Sequence, residues 1–136
     1  MRPARIQMRR TKGWRLPEGG VYVGRPTRWG NPFVVGDGPL SFHGYEHGGV
    51  GQYGTGAGQA DMTIPDTGLS AAMAVALYRD VLEDIVDHPQ DDIDREIRMA
   101  LLDLRGQALA CWCPVDEPCH ADVLLAIANG PKARLT

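Results

Sequence analysis

The run Cys111-Trp112-Cys113-Pro114-Val115-Asp116-Glu117-Pro118-Cys119-His120 holds all three cysteines of the chain and one of its four histidines. Thiols and imidazoles are the side chains that bind soft metals, attack carbon or phosphorus, and exchange protons near neutral pH. Three chemistries are open to this cluster. Cys111, Cys113, Cys119 and His120 have the ligand types of a Cys3His zinc set, although C-x-C followed by an adjacent Cys-His pair departs from the usual paired C-x2-4-C spacing. Alternatively the run is a ligand cradle. Cys119 at a helix start then has a lowered thiol pKa, His120 exchanges a proton with a ligand oxygen, and free N–H groups hold an anion. On that reading Cys119 and His120 are the candidate catalytic pair. The plain alternative makes Cys111 and Cys113 small core fillers, as buried cysteines often are, with Cys119 a helix cap and His120 bonded to a carbonyl.

A second unusual segment, Gly24-Arg25-Pro26-Thr27-Arg28-Trp29-Gly30-Asn31-Pro32-Phe33, follows directly on a strand pattern. Gly24 and Gly30 allow close backbone approach or positive φ, and Asn31 tolerates a left-handed turn. Arg25 and Arg28 present planar forks for phosphate or carboxylate. Trp29 and Phe33 suit burial against the sheet better than stacking on a base. The candidate ligand-binding residues are therefore Gly24, Arg25, Arg28, Trp29, Gly30 and Asn31, with Arg25 foremost.

These segments need elements to position them. Arg5-Ile6-Gln7-Met8-Arg9 alternates as a half-buried strand does, and Val21-Tyr22-Val23 is a β-branched and aromatic strand. Ser70 is an N-cap candidate for a helix through Val86, with Ala74, Leu77, Tyr78, Val81 and Ile85 on one face. A second helix runs from Asp91 to Arg105, acidic at its start, with a stripe of Ile93, Ile97, Ala100, Leu101 and Leu104 and Gly106 closing it. Ala108-Leu109-Ala110-Cys111-Trp112 is a continuous apolar run, the pattern of an interior strand. Alternation along it puts Cys111 and Cys113 on one face and Trp112 on the other. Cys119 to Asn129 is the last helix. The order β-β-loop-α-α-β-α predicts an α/β fold, a small single-domain Rossmann-like sandwich over residues 1–136.

Between Gly36 and Gly58 the chain carries nine glycines with His43, Tyr45, His47 and Tyr53 and no apolar period. Residues 38–65 therefore read as a flexible glycine-rich loop insertion whose deletion leaves the fold near its original stability. Residues 131–136 read as a frayed tail.

The net charge of −3 conceals an asymmetry. Residues 1–36 contain Arg2, Arg5, Arg9, Arg10, Lys12, Arg15, Arg25 and Arg28 against one acid, Glu18. Such a basic third attracts phosphate, on a nucleotide or a nucleic acid. No stretch has the length of a membrane helix, Met1-Arg2-Pro3 leads into no signal-peptide core, and the odd cysteine count does not suit a secreted disulfide framework, so a cytoplasmic protein is expected.

The strings VYVGRPTRWGNPF and LACWCPVDEPCHADVLLAIAN together resemble the family catalogued as domain of unknown function 4326, common in bacteria and their phages. The resemblance covers residues 5–36 and 69–130. It implies an α/β fold, assigns no reaction, and makes the glycine-rich stretch look like an insertion, so nothing carries over to His43 or His47. The Cys-His helix opening also looks like a distant cousin of domain of unknown function 488, which lacks this C-x-C, an argument against zinc as the shared purpose.

The combined expectation is a domain that binds a nucleotide, a nucleoside or a nucleic-acid end between Arg25–Asn31 and Cys119–His120, with no cofactor favoured. If it is an enzyme, the natural class is hydrolysis or transfer at a glycosidic or phosphoryl bond, with Asp116 or Glu117 the nearby acid. The alternative is a non-catalytic zinc-stabilised module that binds nucleic acid or protein.

Overall fold

The structure, a computed structural model, describes residues 4–33, 35–36 and 69–136. The 38–65 insertion lies outside the described residues. Three short strands, β1 (Arg5–Gln7), β2 (Gly20–Tyr22) and β3 (Ala108–Cys111), form a parallel sheet in the order β1-β3-β2 among the described residues. Ala110 of β3 is in register with Ile6 on one side and Tyr22 on the other. The continuous apolar run is thus the central strand, and Leu109, Ala110 and Cys111 are buried.

Pairing continues past the strand ends. The Met8 N–H donates to the Cys111 carbonyl at 2.7 Å, and the Val23 N–H donates to that of Ala110 at 2.8 Å. Because the strands are parallel, the segments leaving Gln7, Tyr22 and Cys111 emerge at one edge of the sheet. That carboxyl edge is where open α/β sheets gather ligand loops.

Helix α1 spans Ala71–Asp87, and the Ser70 hydroxyl oxygen accepts from the Met73 N–H at 3.2 Å as its cap. Its predicted face, Ala74, Leu77, Tyr78, Val81 and Ile85, is buried throughout. Helix α2 spans Asp92–Leu104. Its Asp91 cap accepts from the Asp94 N–H at 2.9 Å, while Asp94 reaches back to accept from the Gln90 N–H at 2.8 Å. Gly106 follows with φ +80°, the left-handed conformation that ends a helix.

One member of the α2 stripe departs from expectation: Ile93 is 67% exposed. It shares the direction of Ile97 and Leu101 but sits in the first turn, where it borders a cavity instead of packing on a neighbour. Helix α3, His120–Ala128, buries His120, Ala121, Val123, Leu124, Ile127 and Ala128, and packs on β3, β1, α1 and α2. Each large apolar side chain so buried contributes on the order of 1.5–3 kcal/mol.

The tail is not frayed. Lys132–Arg134 forms a 3-10 turn, Leu135 is 1% exposed, and Arg134 forks onto Asp87 of α1 with both N···O distances near 3 Å (2.9 and 3.0 Å). An apolar anchor and a bidentate ion pair hold a segment whose composition alone reads as loose. Among the described residues, no helix is long and apolar enough to cross a membrane.

Candidate functional site

The loop after β2 is built from consecutive turns. The Gly24 carbonyl accepts from the Thr27 N–H at 3.0 Å and from the Thr27 hydroxyl at 2.6 Å, and the Gly30 N–H donates to the Thr27 carbonyl at 3.0 Å. Gly24 is required by close approach and not by positive φ: a Cβ there would strike the Tyr22 ring and hydroxyl. That hydroxyl donates to the Arg25 carbonyl at 2.7 Å. The Arg25–Pro26 peptide is cis.

Asn31 does not take the left-handed turn its type allows, since positive φ among the described residues is confined to glycines. Its amide bridges instead. Nδ2 donates to the Ala74 carbonyl at 3.0 Å and Oδ1 accepts from the Phe33 N–H at 2.9 Å. Both ends of the side chain are therefore committed to the protein. The Asn31 carbonyl in turn accepts from Arg25 Nε at 2.9 Å, which aims the guanidinium. Gly30 lies against Arg25, with only about 3.0 Å between a Cβ built there and Arg25 Cγ.

The predicted ligand residues divide between two cavities. Gly24, Arg25 and Asn31 line a first cavity of about 370 Å³ together with Trp112, Cys113, Cys119 and His120. Arg28, Trp29 and Gly30 line a second, of about 430 Å³, walled by Tyr78, Val81, Ile85, Ile93 and Ile97. Trp29 and Phe33 are buried, as their types suggest. The loop and the start of α3 thus border one cavity because β2 and β3 are parallel neighbours and both segments leave at the same edge.

Cys111 closes β3, Cys119 is the N-cap of α3, and their Sγ atoms lie 2.8 Å apart. All three cysteines are free, and with Cys113 the sulfurs lie within 4.8 Å of one another. His120 stands beside this trio and outside it. Its Nε2–H donates to the Val23 carbonyl at 2.8 Å, and Nδ1 lies 3.7 Å from Cys119 Sγ. The Tyr78 ring meets the imidazole edge-on at 5.2 Å between centroids, and its hydroxyl donates to the Trp29 carbonyl at 2.8 Å. Burial, then the neighbouring Cys119, pushes the Tyr78 phenol well above its ordinary range, so it stays a donor.

The lowered pKa expected of Cys119 is reversed. Its thiol is pushed up to about 11, first by the hydrogen bond it shares with Cys111 and then by burial, with His120 and the Ala121 N–H opposing. Cys111 is held below the usual thiol range chiefly by the same bond. Burial pushes Cys113 up. Here the bond with Cys111 and burial outweigh the pull of the helix N-terminus on the Cys119 thiol. Cys119 is also 1% exposed, which does not suit a free nucleophile.

Two contributors are not apparent from sequence patterns. Alternation along an interior strand predicts a covered Trp112, but β3 ends at Cys111 and the indole is 42% exposed on the cavity wall, with the Arg10 guanidinium 4.7 Å from its ring centroid. Arg5, on β1, donates to the Pro114 carbonyl at 2.7 Å and to Asp122 Oδ2 at 3.0 Å, fastening the cysteine loop to α3. A strand arginine among neutral neighbours gives no sign of this, since its partners lie over a hundred positions away.

A family model matches residues 6–130 of 136, and the chain belongs to that family, described as Domain of unknown function (DUF4326). No curated protein and no solved structure matches it.

Proposed function

We propose that the first cavity binds a nucleotide or a nucleic-acid end, with the Arg25 guanidinium on its phosphate and Trp112 against its base. The observation that carries this reading is the meeting of Arg25, Trp112 and the start of α3 around one concave space of about 370 Å³. That volume is within the range of small-ligand pockets, and such pockets combine apolar walls with a few fixed polar groups. Arg25 Nε is anchored on Asn31, which leaves the two terminal nitrogens of the guanidinium to meet two oxygens of one phosphate. Asn31 and Gly24 position the arginine and do not touch the ligand.

In this reading the parallel strands and their loops are a small Rossmann-like sandwich. Arg28, Trp29 and Gly30 belong to the structural support of the loop. The buried, raised thiol of Cys119 favours binding over nucleophilic catalysis.

Thermal-shift measurements against a panel of nucleosides and nucleotides test the proposal. Nucleoside phosphates should raise Tm while the parent nucleosides do so weakly. Arg25→Gln should abolish the phosphate-dependent part and Trp112→Ala the base-dependent part, each with the unliganded Tm nearly unchanged. Absence of a shift with every phosphate-bearing compound, or shifts untouched by both substitutions, would sink it.

A further inference from the structure

Three sulfurs from two elements converge on the wall of the first cavity, and no other cluster among the described residues is built like it. Cys111 ends the central strand, Cys113 follows two residues on, and Cys119 caps α3. Sulfurs within 4.8 Å of one another can share one ion at Zn–S distances of about 2.3 Å after small χ1 rotations.

Without an ion, burial raises the Cys113 thiol and the bond with Cys111 raises that of Cys119, while backbone N–H groups and a cation nearby oppose the rise. The backbone N–H groups of Cys113 and Ala121, each two residues further along, favour the thiolate forms of Cys111 and Cys119 respectively. Outer donors of this kind orient metal-bound sulfur and temper its charge. The Arg5 guanidinium, only 7% exposed, bridges Pro114 and Asp122 beside the loop and acts electrostatically on Cys113. Its charge is shared with the Asp122 carboxylate, so it offsets only part of the single net negative charge of three thiolates around a divalent ion. His120 keeps its Nε2–H on Val23 and stands outside the trio.

We propose that Cys111, Cys113 and Cys119 hold one soft divalent metal ion of the zinc class, with the fourth coordination position turned into the first cavity. Binding displaces the three thiol protons to solvent. A site with three protein ligands and an open position is of the kind that engages an exogenous ligand, whereas a purely structural zinc is closed by four. Water, or an anionic oxygen of whatever occupies the cavity, takes that position. Metal uptake needs only the thiols, so it is read without nucleotide, and its failure is distinguishable from failure of the phosphate reading.

The experiment is anaerobic titration of the full reduced, chelator-stripped chain with Co2+. Saturation at one equivalent is expected, with intense thiolate-to-cobalt absorption in the near ultraviolet and visible ligand-field bands of a tetrahedral ion, both erased by Zn2+. Azide should then shift the visible bands. Cys113→Ser, at the least buried of the three positions, should keep the circular dichroism and cooperative melting of the parent. It should weaken Co2+ binding by more than about tenfold, since losing even an outer partner costs that much. A folded Cys113→Ser protein that binds Co2+ like the parent would overturn the site, as would absence of charge-transfer absorption. Bands indifferent to azide would overturn the open position and indicate closure by His120. A never-reduced protein two hydrogens lighter, with Cys113 its one titratable thiol, would mean a Cys111–Cys119 disulfide in place of a metal.

Discussion

The imidazole of His120 donates from Nε2 to the carbonyl oxygen of Val23, 2.8 Å away and 97 positions earlier in the chain. This bond ties the end of β2 to the first turn of α3, the two segments that border the first cavity. His120→Ala removes the donor and leaves a buried carbonyl unpaired, so urea unfolding should show a loss of about 1–3 kcal/mol. His120→Gln, which keeps an N–H donor on a side chain of similar reach, should recover part of it. Equal losses in both variants would place the effect in packing and not in the bond.

Thiol labelling separates access from acidity. In the reduced, metal-free chain Cys113 is half-buried, while Cys111 and Cys119 are each 1% exposed. Mild alkylation at neutral pH should therefore modify Cys113 first and Cys119 last, because the Cys119 thiol is both inaccessible and raised to about 11. Peptide mapping after timed quenching checks the order. Early labelling of Cys119 would mean that the start of α3 opens readily.

The docked tail should respond to acid. The Asp87 carboxyl lies below its ordinary range, chiefly through its hydrogen bond with Arg134. A folded pKa below the unfolded one gives stability that is present above the unfolded value near 3.9 and is lost as pH falls through the folded one. The pair is partly exposed, so solvent screening limits its worth to about 1 kcal/mol or less. Asp87→Asn should lower stability by that amount at neutral pH and by nothing once the pH is below both values. A constant difference across the whole range would refute the linkage.

Gly24 should not tolerate a side chain while Tyr22 is present. Gly24→Ala forces the Tyr22 ring and its bond to the Arg25 carbonyl to move, at a cost on the order of 1–3 kcal/mol by chemical denaturation. In a Tyr22→Leu background the same substitution should cost much less. An undiminished cost there would trace the intolerance to backbone conformation.

Much of the architecture is legible in the chain because it rests on short-range physics. The apolar face of α1, its Ser70 cap, the acidic start of α2, the Gly106 stop and the central position of β3 each follow from periodicity or from local interactions. Burial of Trp29 and Phe33 follows from side-chain type. Even the two-segment cavity can be anticipated, since parallel strands send their loops to one edge.

What the tertiary structure alone decided is how neighbours distant in sequence share protons, space and charge. Composition marks residues 131–136 as loose, yet Leu135 and Arg134 find a core and a carboxylate across the fold. Alternation hides Trp112, yet the strand stops one residue short of it and frees the ring for the cavity. A helix N-terminus lowers a thiol pKa in isolation, yet Cys111 at 2.8 Å reverses the sign for Cys119. Local pattern determines which elements form because a helix or strand is stabilised by contacts a few residues apart. The pairing of Arg25 with Asn31, of His120 with Val23, and of three sulfurs with one another depends on where those elements are packed, which short-range spacing does not encode.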